Sequence, residues 1–512
     1  AHSLASNARD LFSLRAPPRE SPLAAACGCL TTAISMKTFL LVCYFASWAF
    51  IPHLLLLKKR PAATLAWLWA ILFIPLLGAM AYFAIGTDRL RRQRLKRRTL
   101  FSARSSRHRG AAATTDSATT GLLKGLPRRD RQFLQLLSRI NQLPVSSAEN
   151  LRILRNAEEF YPALEARIRE ATHHIHIEFY IWNADETGAR FVQLLAAAAR
   201  RGVLVRLLLD GVGSRGLDED VLEEFIEAGG KFSWFQSLDP RRKRFFLNLR
   251  NHRKLQIIDG TFAFVGGMNI GREYEGRDPE LGHWSDVQVE VTGPVACELQ
   301  EVFADDWFFA TGEKLSAAAF FPTSTTHAPA HDPVHIVLGG PDRRNEPISK
   351  SIVSLLNEAG DRVWIATGYF VPDDVLLAAL ELAAHRGVDV RLLISEKNDH
   401  PWLVTVGRSY YGQLLAAGVR IFEYSAGINH AKITVADSQW AMIGSANLDY
   451  RSMRLNFELN LLFHSPGQNA VLARILETDF ALCLEIDPPT FARRPFRQKF
   501  AEAALRPLSP ML

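Results

Sequence analysis

Apolar and polar positions follow different periods in different parts of the chain. Residues 38–57 and 62–85 are two almost unbroken apolar runs, separated by Lys58, Lys59, Arg60 and Pro61. Each is long enough to cross a hydrocarbon core as a helix, so together they predict a transmembrane hairpin. A cleaved leader would account for the first run alone. From Arg131 onward the pattern becomes that of a folded body. Ile175, Ile177, Phe179 and Ile181 alternate as in a strand, residues 189–200 have helical spacing, and residues 202–209 form a continuous apolar strand.

The body then repeats. Residues 363–370 predict a strand and 375–385 a helix, and 387–394 matches 202–209 nearly residue for residue. Each half goes on to a helix ending in Ala-Gly (Ala228-Gly229, Ala417-Gly418) and a short strand. Strand and helix in alternation predict an α/β fold, its sheet mainly parallel or mixed and covered on both faces. The expected organisation is an N-terminal extension (1–35), a membrane hairpin with a basic flank (36–98), a flexible linker (99–130), a first half (131–315), a Pro, Thr and His-rich linker (316–335) and a second half (336–512).

Charge narrows the partners. The formal net charge is +7, but residues 1–130 hold 20 Lys or Arg against 5 Asp or Glu, leaving 40 against 48 in the remainder. A mildly acidic body lacks the basic groove that nucleic acid requires, so none is expected. The run from Arg89 to Arg98 outweighs the three basic residues of the hairpin loop, which puts the body on the cytoplasmic side and suits anionic headgroups. Five scattered cysteines, Cys27, Cys29, Cys43, Cys297 and Cys483, fit neither a disulfide framework nor a zinc site.

The sharpest chemical signal is a duplicated motif. His252, Lys254 and Asp259 are followed by Gly266, Gly267 and Asn269; His430, Lys432 and Asp437 are followed by Gly444, Ser445 and Asn447 at the same spacing. Residues two apart on a strand share a face, so each half offers one imidazole and one ammonium together, with Leu255, Ile257, Ile433 and Val435 supplying core packing. Displacement at a phosphodiester by a covalent route needs a nucleophile on one side and a proton donor on the other, hence two imidazoles. Asp259 and Asp437 lie an odd number of residues from the histidines, and two readings stand for them: a direct catalytic role, or capping a turn.

This doubled pattern resembles the phospholipase D superfamily. Asn269-Ile270-Gly271, Glu273-Tyr274, Trp284-Ser285-Asp286, Gly293-Pro294, Phe303 and Trp307 narrow the resemblance to bacterial cardiolipin synthases of that type, over roughly residues 36–512. The resemblance implies two pseudo-two-fold-related α/β/α halves around one active site and transfer of a phosphatidyl group between phosphatidylglycerol molecules. A phospholipid hydrolase, or a nuclease, is the alternative. It further implies His252 as nucleophile, His430 as general acid and base, Lys254, Lys432, Asn269 and Asn447 on the phosphoryl oxygens, and Asp286 and Glu458 orienting the imidazoles. No metal or other cofactor is called for.

Weaker patterns remain. His174, His176 and Glu178 share a strand face and read either as metal ligands or as core. The Gly211–Ser214 turn lacks the spacing and the lysine of a nucleotide loop. Gly368-Tyr369-Phe370-Val371-Pro372 reads equally as a lipid-facing wall or as a strand end.

Overall fold

A computed structural model describes residues 38, 41, 42, 44–46, 48–56, 61–85, 121–217, 219–235, 250–279, 281–322, 332–343, 345–398 and 401–511. The expected extension at 1–35, the arginine-rich run from Arg89 to Arg98, Cys27, Cys29 and Cys43, most of the first linker and residues 323–331 of the second lie outside these residues. The chain divides into two units, residues 1–89 and 90–512.

In the first unit the described residues of the two apolar runs do not form two long helices. Pro61–Phe73 and Pro75–Ile85 are separate helices divided at Ile74, because Pro75 has no N–H to continue the ladder. Ahead of them Ile51–Leu56 follows a turn at Ala49-Phe50. Among the described residues no helix is long and apolar enough to cross a membrane. Leu54, Ile71 and Tyr82 form a small core in which the Tyr82 hydroxyl lies 3.1 Å from His53 Nδ1.

Among the described residues the second unit holds two large sheets of like topology and two two-stranded ones. In spatial order the first runs Asn150–Arg155, Val287–Thr292, Phe262–Gly266, Leu255–Ile258, His174–Phe179, Leu204–Leu209, Lys231–Trp234. The second repeats this order with Asp332–Gly339, Glu458–His464, Trp440–Gly444, Ile433–Ala436, Arg362–Thr367, Asp389–Ser395, Arg420–Tyr424, and adds Ser146–Ala148 and Cys483–Glu485 at its edges. Three strands of each are parallel and the others antiparallel, so the sheets are mixed. The predicted helices appear as Glu186–Arg200 and Asp374–His385, each capped by an aspartate (Asp185, Asp373) that accepts from a backbone N–H of the first turn. Both Ala-Gly pairs end helices, and Gly229 and Gly418 take φ of +96° and +97°, a conformation that a Cβ disfavours.

One buried core draws on both halves. Leu255, Ile257, Val265 and Val289 join Ile433, Val435, Ile443 and Leu461, with residues of helices Pro294–Thr311 and Pro466–Phe480. Outer cores lie beneath the remaining helices of each half. The boundary set at Arg131 misses one feature. Helix Arg128–Asn141 buries Phe133, Leu134 and Leu137 in the second half's outer core, and Ser146–Ala148 pairs with Asp332–Gly339. The chain thus adds an edge strand to the later sheet before it builds the earlier one.

Candidate active site

Both motif histidines line one cavity of about 580 Å³, together with Asn269 and Asn447. Each lies just before its motif strand, on a segment that pairs with the other half. His252 donates its backbone N–H to Phe457 O at 2.9 Å, and His430 donates to Ser285 O at 2.7 Å. Residues Gly427–Asn429 run parallel to His283–Ser285, and Asn251 bridges to Phe457 in the same sense. The cavity is therefore assembled only when the halves dock.

The orienting carboxylates cross over in the same way. His252 Nδ1 lies 3.0 Å from Glu458 Oε2 and 3.1 Å from Ser445 O. His430 Nδ1 lies 2.7 Å from Asp286 Oδ2. With Nδ1 so engaged, Nε2 is the nitrogen left for chemistry on His252. Ser445 Oγ donates to Glu458 at 2.5 Å, whereas the equivalent first-half position is Gly267, where a Cβ would meet Asp286 Oδ1 at 2.4 Å.

This difference and the burial of the charges make the two pairs unequal. Burial opposes ionisation of Glu458, but His252, Lys254 and the Ser445 hydroxyl outweigh it and hold the carboxyl below its ordinary value. Burial also lowers the pKa of His252. That pair rests as carboxylate and neutral imidazole. For Asp286 burial prevails over the pull of Lys432 and Lys254 and pushes the carboxyl up to about 7, so Asp286 takes up a proton near neutrality.

Both motif lysines are buried and neither lines the cavity. Lys254 Nζ donates to His252 O at 2.8 Å and Lys432 Nζ donates to His430 O, which sets positive charge behind each imidazole. Burial pushes Lys254 down to about 7. Asn269 donates to the Tyr274 hydroxyl at 2.9 Å and accepts from Ile181 N at 3.0 Å. Asn447 Oδ1 is buried without a hydrogen-bond partner.

Of the two readings left for the motif aspartates, their positions favour the structural one over the catalytic one. Asp259 and Asp437 lie past the far ends of strands Leu255–Ile258 and Ile433–Ala436, at φ of +53° and +49°. Asp259 accepts from the backbone N–H groups of Thr172, His173 and His174, and Asp437 from those of Gly360, Asp361 and Arg362. They anchor the entry to the neighbouring strand and have no place among the catalytic groups.

The weaker patterns resolve as packing. His174 and His176 lie 3.3 and 2.9 Å from Gln300 Oε1, His176 stacks on Phe303 at 4.7 Å, and Glu178 accepts from Asn251. The Gly211–Ser214 turn is filled by Asp210, which accepts from Val212 and Gly213 and holds Asn251 N at 2.8 Å. Tyr369 lines the cavity while Phe370 is buried beside Tyr411. Sequence reasoning missed Tyr180, Arg250 and Asn456 in the cavity wall and left Arg451 and Glu273 without roles. Their signal was position: Arg250, Arg451 and Glu273 stand at a fixed offset from a motif residue, and Asn456 stands two before Glu458.

A family model described as cardiolipin synthase, phospholipase D-like domain matches residues 164–307 and 352–480, and one described as phospholipase D-nuclease N-terminal matches 45–86. The chain is 37% identical over 461 residues to a cardiolipin synthase of Geobacillus sp. (strain WCH70), covering 89% of this chain and 90% of that one. It is equally identical over 460 residues to a cardiolipin synthase of Geobacillus kaustophilus (strain HTA426), with the same coverage of both chains. Among solved structures, phosphatidylserine synthase from Haemophilus influenzae Rd KW20 aligns with a TM-score of 0.54 at 16% identity, covering 74% of this chain and all of that one; at that identity the likeness is of fold.

Proposed function

We propose, from the premise that this chain belongs to the phospholipase D-like cardiolipin synthase family, that it condenses two phosphatidylglycerol molecules into cardiolipin and glycerol. The observation that carries this reading is the pair of imidazoles at one cavity, each held through Nδ1 by the other half's carboxylate. His252 Nε2 attacks the donor phosphorus, the phosphorus bond to the glycerol oxygen breaks, and His430 delivers a proton to that oxygen. The headgroup hydroxyl of a second phosphatidylglycerol then attacks the phosphatidyl-histidine as His430 takes its proton. The phosphorus–nitrogen bond breaks and both side chains return to their starting states. The inequality of the two pairs supports this division of labour. A neutral imidazole against an ionised Glu458 is a resting nucleophile, and a pair that holds a proton near neutrality is an acid. Asn269 and Asn447, which line the cavity, supply hydrogen bonds to the phosphoryl oxygens, and Lys254 and Lys432 supply positive charge from behind the imidazoles.

The same reading places the N-terminal unit at the bacterial inner membrane, with the catalytic body on the cytoplasmic face. Supporting it are the apolar helices Pro61–Phe73 and Pro75–Ile85, with exposed Trp69, Phe73, Leu77 and Met80, and the basic run that follows. Incubating the purified chain with phosphatidylglycerol in detergent tests the chemistry. Cardiolipin and free glycerol in equal amounts are expected; phosphatidic acid as the dominant product would make the protein a hydrolase.

A further inference from the structure

The pseudo-two-fold relation allows each wall residue of the cavity to be compared with its counterpart. Arg250 and Ile428 each precede a motif histidine by two residues, and Asn456 and Trp284 precede the orienting carboxylates by two. Arg451 and Glu273 follow the motif asparagines by four, each as the second residue of a short helical turn. Tyr180 and Gly368 correspond through the matching registers of their strands with the motif strands. All eight line the cavity, and in no pair do the two residues agree in chemistry.

The differences sort by side. Tyr180 packs on His252 at 4.8 Å, Arg451 lies close enough to Arg250 and Tyr180 for their charges to interact, and Asn456 donates to Glu458. Asp449 also lines the cavity beside Arg451, so the His252 side gathers two arginines against one carboxylate. Around His430 are Trp284, with ring centroids 5.3 Å apart, and Tyr274 at 6.5 Å, itself 4.7 Å from Trp284. Ile428 pairs with Trp284, and a Cβ on Gly368 would meet His430 and Asn447 at 3.3 Å, so the glycine leaves room there. The charged group on this side is Glu273, hydrogen-bonded to Tyr274 and Asn183, while Tyr274 accepts from Asn269. An anionic phosphodiester suits the first side. The second suits a neutral group that can donate hydrogen bonds and present carbon to aromatic rings.

We propose that Glu273, with Tyr274 and Trp284, forms a polyol subsite that holds the glycerol headgroup, accepting hydrogen bonds from the hydroxyls that do not react. This rests on the phosphatidyltransferase reading above and extends it. One subsite serves twice: the donor's glycerol leaves from it with a proton from His430, and the acceptor lipid's glycerol enters it and returns one. An ammonium headgroup would also match a carboxylate beside aromatic rings. It would stand two carbons from the leaving oxygen, next to the imidazolium that must protonate it, where like charges repel.

The test runs the reaction backwards with the full chain in detergent micelles, offering cardiolipin and a free alcohol. Glycerol and 1-propanol present the same primary hydroxyl, and only glycerol has the other two. Wild-type protein is expected to favour glycerol, and Glu273→Leu to lower the glycerol-to-propanol ratio of kcat/KM tenfold or more. Glu273→Gln, which keeps one acceptor oxygen and the shape, should lower it less. An unchanged ratio, or an equal fall for both alcohols in both variants, overturns the subsite. So does a wild-type preference for phosphatidylethanolamine over phosphatidylglycerol as donor that Glu273→Gln abolishes, which would make it an ammonium site. Wild-type protein that releases phosphatidic acid with either alcohol refutes the transferase reading itself.

Discussion

Replacing Glu458 by Gln tests the nucleophile assignment at its most specific point. Two effects compete in this variant: loss of the carboxylate charge, and loss of the tautomer that leaves Nε2 unprotonated. Glu458 Oε2 faces His252 Nδ1 at 3.0 Å and Ser445 Oγ at 2.5 Å, and Oε1 faces Asn456 Nδ2 at 3.3 Å. A glutamine amide nitrogen fits better in the Oε1 position, where the longer contact is lost and the Asn456 amide can turn. Its oxygen then still accepts from Nδ1, and Ser445 O at 3.1 Å is a second acceptor for the same proton. The tautomer survives, so the cost is the difference between a charge-assisted hydrogen bond and a neutral one, about 1–1.5 kcal/mol. At about 1.4 kcal/mol per tenfold in rate, phosphoenzyme formation should slow by roughly 5- to 13-fold. Rapid quench of labelled phosphatidylglycerol on enzyme reads that step directly. A loss under threefold would refute the orienting role, and a loss as deep as that of His252→Ala would show that the tautomer, not the charge, was what Glu458 protects.

Label trapped in that experiment should sit on His252 and not on His430, as peptide mapping would reveal. The pH profile of kcat/KM should be a narrow bell, because His252 must be neutral while Lys254 and the Asp286–His430 pair hold their protons. Its acid limb should lie below 6.5 and its alkaline limb near 7, and the alkaline limb should move to lower pH in Glu458→Gln, since Glu458 supports the Lys254 proton. Lys254→Met should lose activity by several orders of magnitude yet not lose thermal stability. A lysine held near 7 instead of 10.5 costs the fold on the order of 5 kcal/mol below pH 7, a penalty relieved as pH rises toward 10.5. Asp259→Ala should do the opposite, lowering Tm by leaving three backbone N–H groups without their acceptor while the folded fraction keeps normal kcat. A chain beginning near residue 121 should fold and lose activity on bilayers far more than on short-chain substrate; one beginning after Asn141 should not fold, because it removes Phe133, Leu134 and Leu137 from a core.

What was legible in the sequence was whatever repeats or has a period. The strand pairs, the helices between them and the doubled motif were readable because a two-residue alternation and a 3.6-residue stripe are imposed by burial within each element. The motif aspartates were left between two readings because spacing along the chain does not say where a residue beyond a strand's end comes to lie. A four-residue strand separates Lys254 from Asp259, which carries the carboxylate to the opposite end of the sheet. The two long apolar runs gave length but not continuity, which Pro75 decides. The helix Arg128–Asn141 carried a clear apolar stripe, but no local rule says which half that stripe will cover.

The crossed contacts also explain why a duplicated fold should retain two unlike halves. Since each imidazole is held by the carboxylate of the other half, neither half alone presents an oriented histidine, and docking and activation are one event. That arrangement is symmetric, whereas the proposed reaction is not, because in it one imidazole attacks while the other holds a proton. Small departures from symmetry suffice to assign the roles. Ser445 in place of a glycine gives Glu458 a hydroxyl donor that Asp286 lacks and helps keep Glu458 ionised, while Asp286 rises to about 7. Arg250 and Arg451, in place of Ile428 and Glu273, gather positive charge on the attacking side. The shared motif thus supplies the chemistry common to both halves, and the unshared residues beside it set the direction in which the chemistry runs.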